Sequence, residues 1–123
     1  MISKSYYLDV TPCGDPPIVH VSQYDTDFQI LLYIRSRSGE LTIQNGTRVD
    51  LRGTKPDGQE FTMQCSLSGS NTVLLQGNEN LTDVAGKGIY ELCFTHNNKW
   101  LHTDNFVIKV EPSPAERSEN AQS

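Results

Sequence analysis

Apolar and polar residues alternate with period two along most of this chain, the spacing that turns one face of a strand toward a core and the other toward water. From Asp27 to Ser36, residues Phe28, Ile30, Leu32 and Ile34 share one face, and Gln29, Leu31, Tyr33 and Arg35 the other. Glu60 to Leu67 sets Phe61, Met63, Cys65 and Leu67 against Glu60, Thr62, Gln64 and Ser66. Thr47 to Arg52 turns Val49 and Leu51 inward, and Thr103 to Glu111 does so with Phe106, Ile108 and Val110. Ile89–Thr95, Thr72–Gln76 and Ile18–Tyr24 are shorter runs, and Lys4–Val10 is a weak one.

Turn chemistry separates the runs. Pro56-Asp57-Gly58 stands between two of them, and Asp57-Gly58 supplies the positive φ of a tight hairpin. Ser38-Gly39, Asn45-Gly46 and Asn97-Asn98 are further turn signals, as are Gly86 and Gly88. Asn80 to Val84 has room for one helical turn. Short strands at this spacing, without a long helix, predict an all-β fold: an antiparallel, immunoglobulin-like β-sandwich of seven or eight strands. Its expected core holds Phe28, Ile30, Leu32, Ile34, Val49, Leu51, Phe61, Met63, Ile108 and Val110. The sandwich spans 18–112. Residues 1–17 are an N-terminal arm or a first strand, since the prolines of Thr11 to Pro17 exclude a central strand there. Residues 113–123 are a disordered tail or a severed linker.

Composition narrows the function. The 123 residues suit one domain. Ten Lys and Arg against fifteen Asp and Glu give a net charge of −5, with no basic cluster for a phosphate backbone. Nucleic acid is not an expected partner. The longest apolar run, Ile30 to Ile34, is far short of the roughly 20 residues that span a bilayer. No membrane insertion is expected, and Met1 to Asp9 lacks the apolar stretch of a secretory signal. Cys13, Cys65 and Cys93 are odd in number and widely spaced, which favours reduced thiols made in the cytoplasm over a zinc knuckle or disulfide scaffold.

Candidate chemistry is sparse. His20, His96 and His102 are the only histidines, and no acidic or Cys ligand is tied to them by spacing. Asp25 and Asp27 have the separation of a carboxylate pair, but so short a chain leaves little to build a cleft around them, and protection of a sheet edge is the better account. Cys65 shares the parity of Phe61 and Met63, so it packs rather than reacts. No GxSxG elbow is present, and Gly86-Lys87 lacks the rest of a phosphate loop. The Asn45 and Asn80 glycosylation patterns occur at chance frequency. No catalytic residue, metal or cofactor is expected, and the chain is not expected to be an enzyme. Tyr33, Tyr90 and Trp100 keep open a carbohydrate-binding module for host cell-surface glycans, which would need them in line on one exposed face.

From His20 to Pro112 the order of signals resembles the N-terminal domain of phage baseplate upper proteins. The resemblance rests on Tyr24-Asp25-Thr26-Asp27 entering a long apolar strand and on the hairpin from Leu51 to Gly58. It continues through the segment from Leu81 to Leu92 and the closing run from Asn105 to Pro112. It implies a non-catalytic β-sandwich that acts by protein–protein contact in a virion, made in the host cytoplasm. The partners it implies are other tail proteins, the tail hub and the receptor-binding protein, with room for a homo-oligomer. Met1 to Pro17 lies outside that pattern, and no heptad-bearing helix follows Pro112. Within this extension Tyr6, Tyr7 and Leu8 are the candidate partner contact, and otherwise complete a first strand.

Overall fold

The structure, a computed structural model, describes residues 2–9, 17–36, 39–40, 43–103 and 105–112. The arm residues 10–16, Cys13 among them, and the expected tail 113–123 lie outside the described residues.

Among the described residues, ten strands and one short helix make up the fold. They are β1 (Ile2–Asp9), β2 (Ile18–Ser22), β3 (Phe28–Ser36), β4 (Gly39–Glu40), β5 (Arg48–Thr54), β6 (Glu60–Leu67) and β7 (Thr72–Gln76), then α1 (Glu79–Thr82), β8 (Gly86–His96), β9 (Lys99–His102) and β10 (Phe106–Glu111). Eight strands follow the order β1-β3-β7-β6-β5-β8-β10-β2, with β4 beside β3 and β9 beside β8. The pairing is continuous through β6, which joins β5 along Glu60–Cys65 and β7 at Ser66–Leu67. The path ends at β1 and β2, and the Lys4 ammonium donates to the His20 carbonyl across that gap. The sheet therefore wraps almost into a barrel.

The all-β class stands, but the arrangement differs from a purely antiparallel immunoglobulin-like sandwich. β1 runs parallel to β3, from Ile2 opposite Phe28 to Asp9 opposite Arg35, and β2 runs parallel to β10. Parallel neighbours need a long crossover. The chain supplies one by laying β2 at the far end of the sheet before it returns to β3.

Alternation fills the interior. Phe28, Ile30, Leu32 and Ile34 are buried, as are Val49, Leu51, Ile108 and Val110, while Phe61 and Met63 are partly buried against them. Leu8 joins this core from β1. At one end α1 acts as a plug, with Leu81 and Thr82 buried. Asn78 caps α1 by accepting from the Asn80 N–H at 2.8 Å, and Thr82 Oγ1 donates to the Asp25 carbonyl at 3.0 Å.

Two glycines shape the fold in different ways. Gly58, at φ +91°, follows a turn in which its N–H donates to the Lys55 carbonyl at 2.9 Å; Lys55 N–H donates to Gln59 O at 2.8 Å. This is the three-residue hairpin loop that needs a left-handed residue at its end. Gly88 is not a turn residue, contrary to the sequence expectation. It lies inside β8, where a Cβ would stand 2.5 Å from the Tyr90 ring. The turn signal at Gly86 falls on the first residue of β8, at φ +124°.

Candidate interaction surface

Strand directions sort the loops into two ends, and charge separates the same way. One end gathers the β2–β3 turn, the β5–β6 hairpin and α1. Its loops carry Asp25, Asp27, Asp57, Glu79 and Asp83. Lys55, the lysine among them, is buried and held by the Asp83 carboxylate at 2.6 Å. The opposite end gathers residues 43–47, 68–71 and 96–99. Among its described side chains are His96 and Lys99 in the loops, with no carboxylate there, while Arg48 at a nearby strand end is held by the Asp50 carboxylate at 3.0 Å.

Tyr24 projects from the acidic end. In the turn from Ser22 to Asp25 the Asp25 N–H donates to the Ser22 carbonyl at 3.1 Å, and Tyr24 occupies the third position at φ +69°. That region suits glycine, and a side chain held there costs on the order of 1–2 kcal/mol. The Tyr24 N–H donates to the Thr82 carbonyl at 3.0 Å, which fixes the turn on α1. The ring is nonetheless 47 % exposed, so core burial does not offset the strain. Asp25, Thr26 and Asp27 beside it are exposed too.

A hollow occupies the other end. Asn97 and Asn98, at φ +51° and +62°, form the two-residue turn between β8 and β9. Beneath it lies a cavity of about 410 Å³, with Phe94 and Ile43 as its apolar floor and His96, Lys99 and Trp100 at its rim. Trp100 is 63 % exposed and Leu101 40 %.

The wall carries two smaller exposed features. Val107 pairs with Ile89 on one side and Ile18 on the other, which lines up an apolar row across three strands. On β1 and β3, Tyr7 stands opposite Tyr33 with ring centroids 5.6 Å apart, and the Arg35 guanidinium lies 4.7 Å from the Tyr7 ring centre. Of the three candidate contact residues, Tyr7 is 62 % exposed, Tyr6 packs partly against the core and Leu8 is buried. Of the three, only Tyr7 is exposed.

The other sequence candidates do not converge. His96 shares the inward parity of Phe94, whereas His102 pairs with Cys93 on the outward face. Among the described residues no group of three His, Cys, Asp or Glu comes together. His20 belongs to a surface ion cluster in which Glu111 Oε1 lies 3.4 Å from His20 Nδ1 and 3.3 Å from Lys109 Nζ. Lys109 first, then His20, holds the Glu111 carboxyl below its usual range. Burial pushes the Cys65 thiol up to about 12, so it stays protonated and unreactive. Tyr90 is buried, Tyr33 stacks on Tyr7, and Trp100 stands on β9. These three aromatics form no row for a sugar chain.

The sequence matches no protein-family model and no curated protein. Among solved structures, the fold is similar to the N-terminal domain of phage TP901-1 ORF48, with a TM-score of 0.65 and 13 % identity over 90 % of this chain and 99 % of that one. CopC from Methylosinus trichosporium OB3b is a looser likeness, with a TM-score of 0.50 and 8 % identity over 76 % of this chain and 83 % of that one. At these identities the likeness is one of fold. The likeness to a phage domain agrees, at the level of fold alone, with the resemblance read from the order of motifs.

Proposed function

We propose that this chain is a non-catalytic structural component of a phage tail or baseplate, working by protein–protein contact. The observation that carries this is the fold shared with the N-terminal domain of phage TP901-1 ORF48, across 99 % of that chain. The side chains support it. Polar groups that could do chemistry are dispersed over both faces and both ends, while exposed aromatics and aliphatics stand in places suited to a partner. Tyr7 is the contact on the β1–β3 wall, a rigid amphipathic ring of the kind that dominates interface energetics. The proposed partners are the tail hub and the receptor-binding protein, and the working location is the virion.

Co-expression with tail proteins encoded beside this chain tests the proposal. A stable complex with the hub or the receptor-binding protein is expected, and Tyr7→Ala should weaken it about tenfold or more, the cost of a moderate hot spot. A chain that binds neither partner, or that turns over a cell-wall polysaccharide, contradicts it.

A further inference from the structure

We infer that the Asn45–Gly46 turn is a site of spontaneous covalent modification, where Asn45 deamidates through a cyclic succinimide to aspartate and isoaspartate. Asn45 is the one asparagine in the sequence that a glycine follows. Both residues are exposed, and Gly46 stands at φ +86° in the third position of a turn. Thr47 closes that turn, its N–H donating to the Gln44 carbonyl at 3.3 Å and its hydroxyl at 2.7 Å. A Cβ added to Gly46 would meet nothing within 4 Å, so the space beside the turn is open. Among the described residues, neither the Asn45 side chain nor the Gly46 N–H finds a hydrogen-bond partner. The Asp57–Gly58 turn is held at both groups instead. There the Gly58 N–H donates to the Lys55 carbonyl at 2.9 Å, and Asp57 Oδ1 accepts from the Gln59 N–H at 3.1 Å. The Asn71 and Asn78 side chains are likewise engaged, by the Thr72 hydroxyl at 3.2 Å and the Asn80 N–H at 2.8 Å.

The reaction needs only water. The Gly46 nitrogen, on losing its proton, attacks Asn45 Cγ; the N–Cγ bond forms, the Cγ–Nδ2 bond breaks, and ammonia leaves with that proton. Glycine favours the step because it puts no Cβ in the path of attack and lets the backbone reach conformations closed to other residues. Water then opens the five-membered ring at either carbonyl. One opening leaves an aspartate; the other leaves an isoaspartate, whose side-chain carbon has become part of the backbone. Either product is a carboxylate, so the net charge falls by one from its value of −5. That charge arrives at the end whose described loops hold His96 and Lys99 and no carboxylate. The extra backbone carbon falls between Gln44 and Thr47, both of which line the Trp100 cavity, so isoaspartate reshapes its rim.

Peptide-mapping mass spectrometry of the full chain, held folded at neutral and at mildly alkaline pH, tests this. The tryptic peptide 38–48 contains Asn45 and no other asparagine. It should gain about 1 Da with time, the difference between an amide and an acid, and resolve into two products, one of them methylated by an isoaspartyl methyltransferase. The gain should be faster at the higher pH, because the attacking nitrogen must lose its proton. Asn45 should convert at least about tenfold faster than Asn97 or Asn98, whose successors carry side chains, a difference of about 1.4 kcal/mol in barrier. Intact chain should move to a more acidic form on ion exchange in step with the peptide. Asn45→Gln, which would need a six-membered ring and keeps Gly46, should not form that species. A peptide 38–48 that gains no more than the peptide holding Asn97 and Asn98 would overturn the inference. So would a folded chain in which Asn45 converts more than about tenfold slower than in denaturant, since the turn would then be a protected one.

Discussion

At the scale of residues, backbone φ and burial decide which positions hold the fold and which are spare. Gly58 sits at φ +91° with open space around it, so only conformation limits substitution there. Gly58→Val should lower stability by roughly 1–2 kcal/mol, the cost of a left-handed bulky residue, read as a melting temperature several degrees lower. An unchanged value would argue against the turn. Tyr24→Gly should do the opposite and leave the melting temperature equal or higher, since it removes strain without emptying the core. Cys65 and Tyr90 make a third expectation. Burial raises both to about 12, from 9.0 and 10.0, while their unfolded forms ionise at the ordinary values. The stability they contribute is complete below about pH 9 and is lost as pH rises toward 12. Unfolding midpoints in denaturant should therefore fall across that window, and Cys65→Ala should remove the earlier part of the fall. Sequence alone could not place Tyr24 in a left-handed turn, because tyrosine carries no turn signal. Gly88 misled in the other direction: a glycine that makes room for a ring looks the same as a glycine that turns the chain.

Among elements, what alternates was legible and what does not was hidden. β6 and β7 occupy the ranges their period-two patterns predict, and β3 is shorter by one residue at its start. β9 was not predicted, because Lys99, Trp100, Leu101 and His102 are all exposed and leave no alternation to read. Strand direction was equally invisible, since period two is the same for parallel and antiparallel neighbours. That is why β1, weak in the sequence, proves to be paired with β3 over eight residues and to contribute Leu8 to the core. Deleting residues 1–17 should consequently abolish cooperative melting, whereas Tyr7→Ala should leave it intact. A truncated chain that melts cooperatively at the wild-type temperature would show that β1 is an accessory strand.

Across the whole molecule, a nearly closed barrel separates its loops into an acidic end and a basic end. Net charge hid this separation. Its value of −5 describes the sum, while topology decides that Asp25, Asp57 and Asp83 meet at one pole and Lys99 and His96 at the other. The site-level expectations were only partly legible for the same reason: Tyr6, Tyr7 and Leu8 are adjacent in sequence, yet the pleat of β1 sends Leu8 inward and Tyr7 outward. The central claim is that the chain is a structural part of a phage tail. Quantitative mass spectrometry of purified phage particles tests it most directly, with gold-labelled antibody to locate the chain. The chain should be present at a fixed copy number per particle, with the label confined to the tail, and particles assembled without it should lack their receptor-binding proteins. Complete, infectious particles that contain none of the chain would contradict the account.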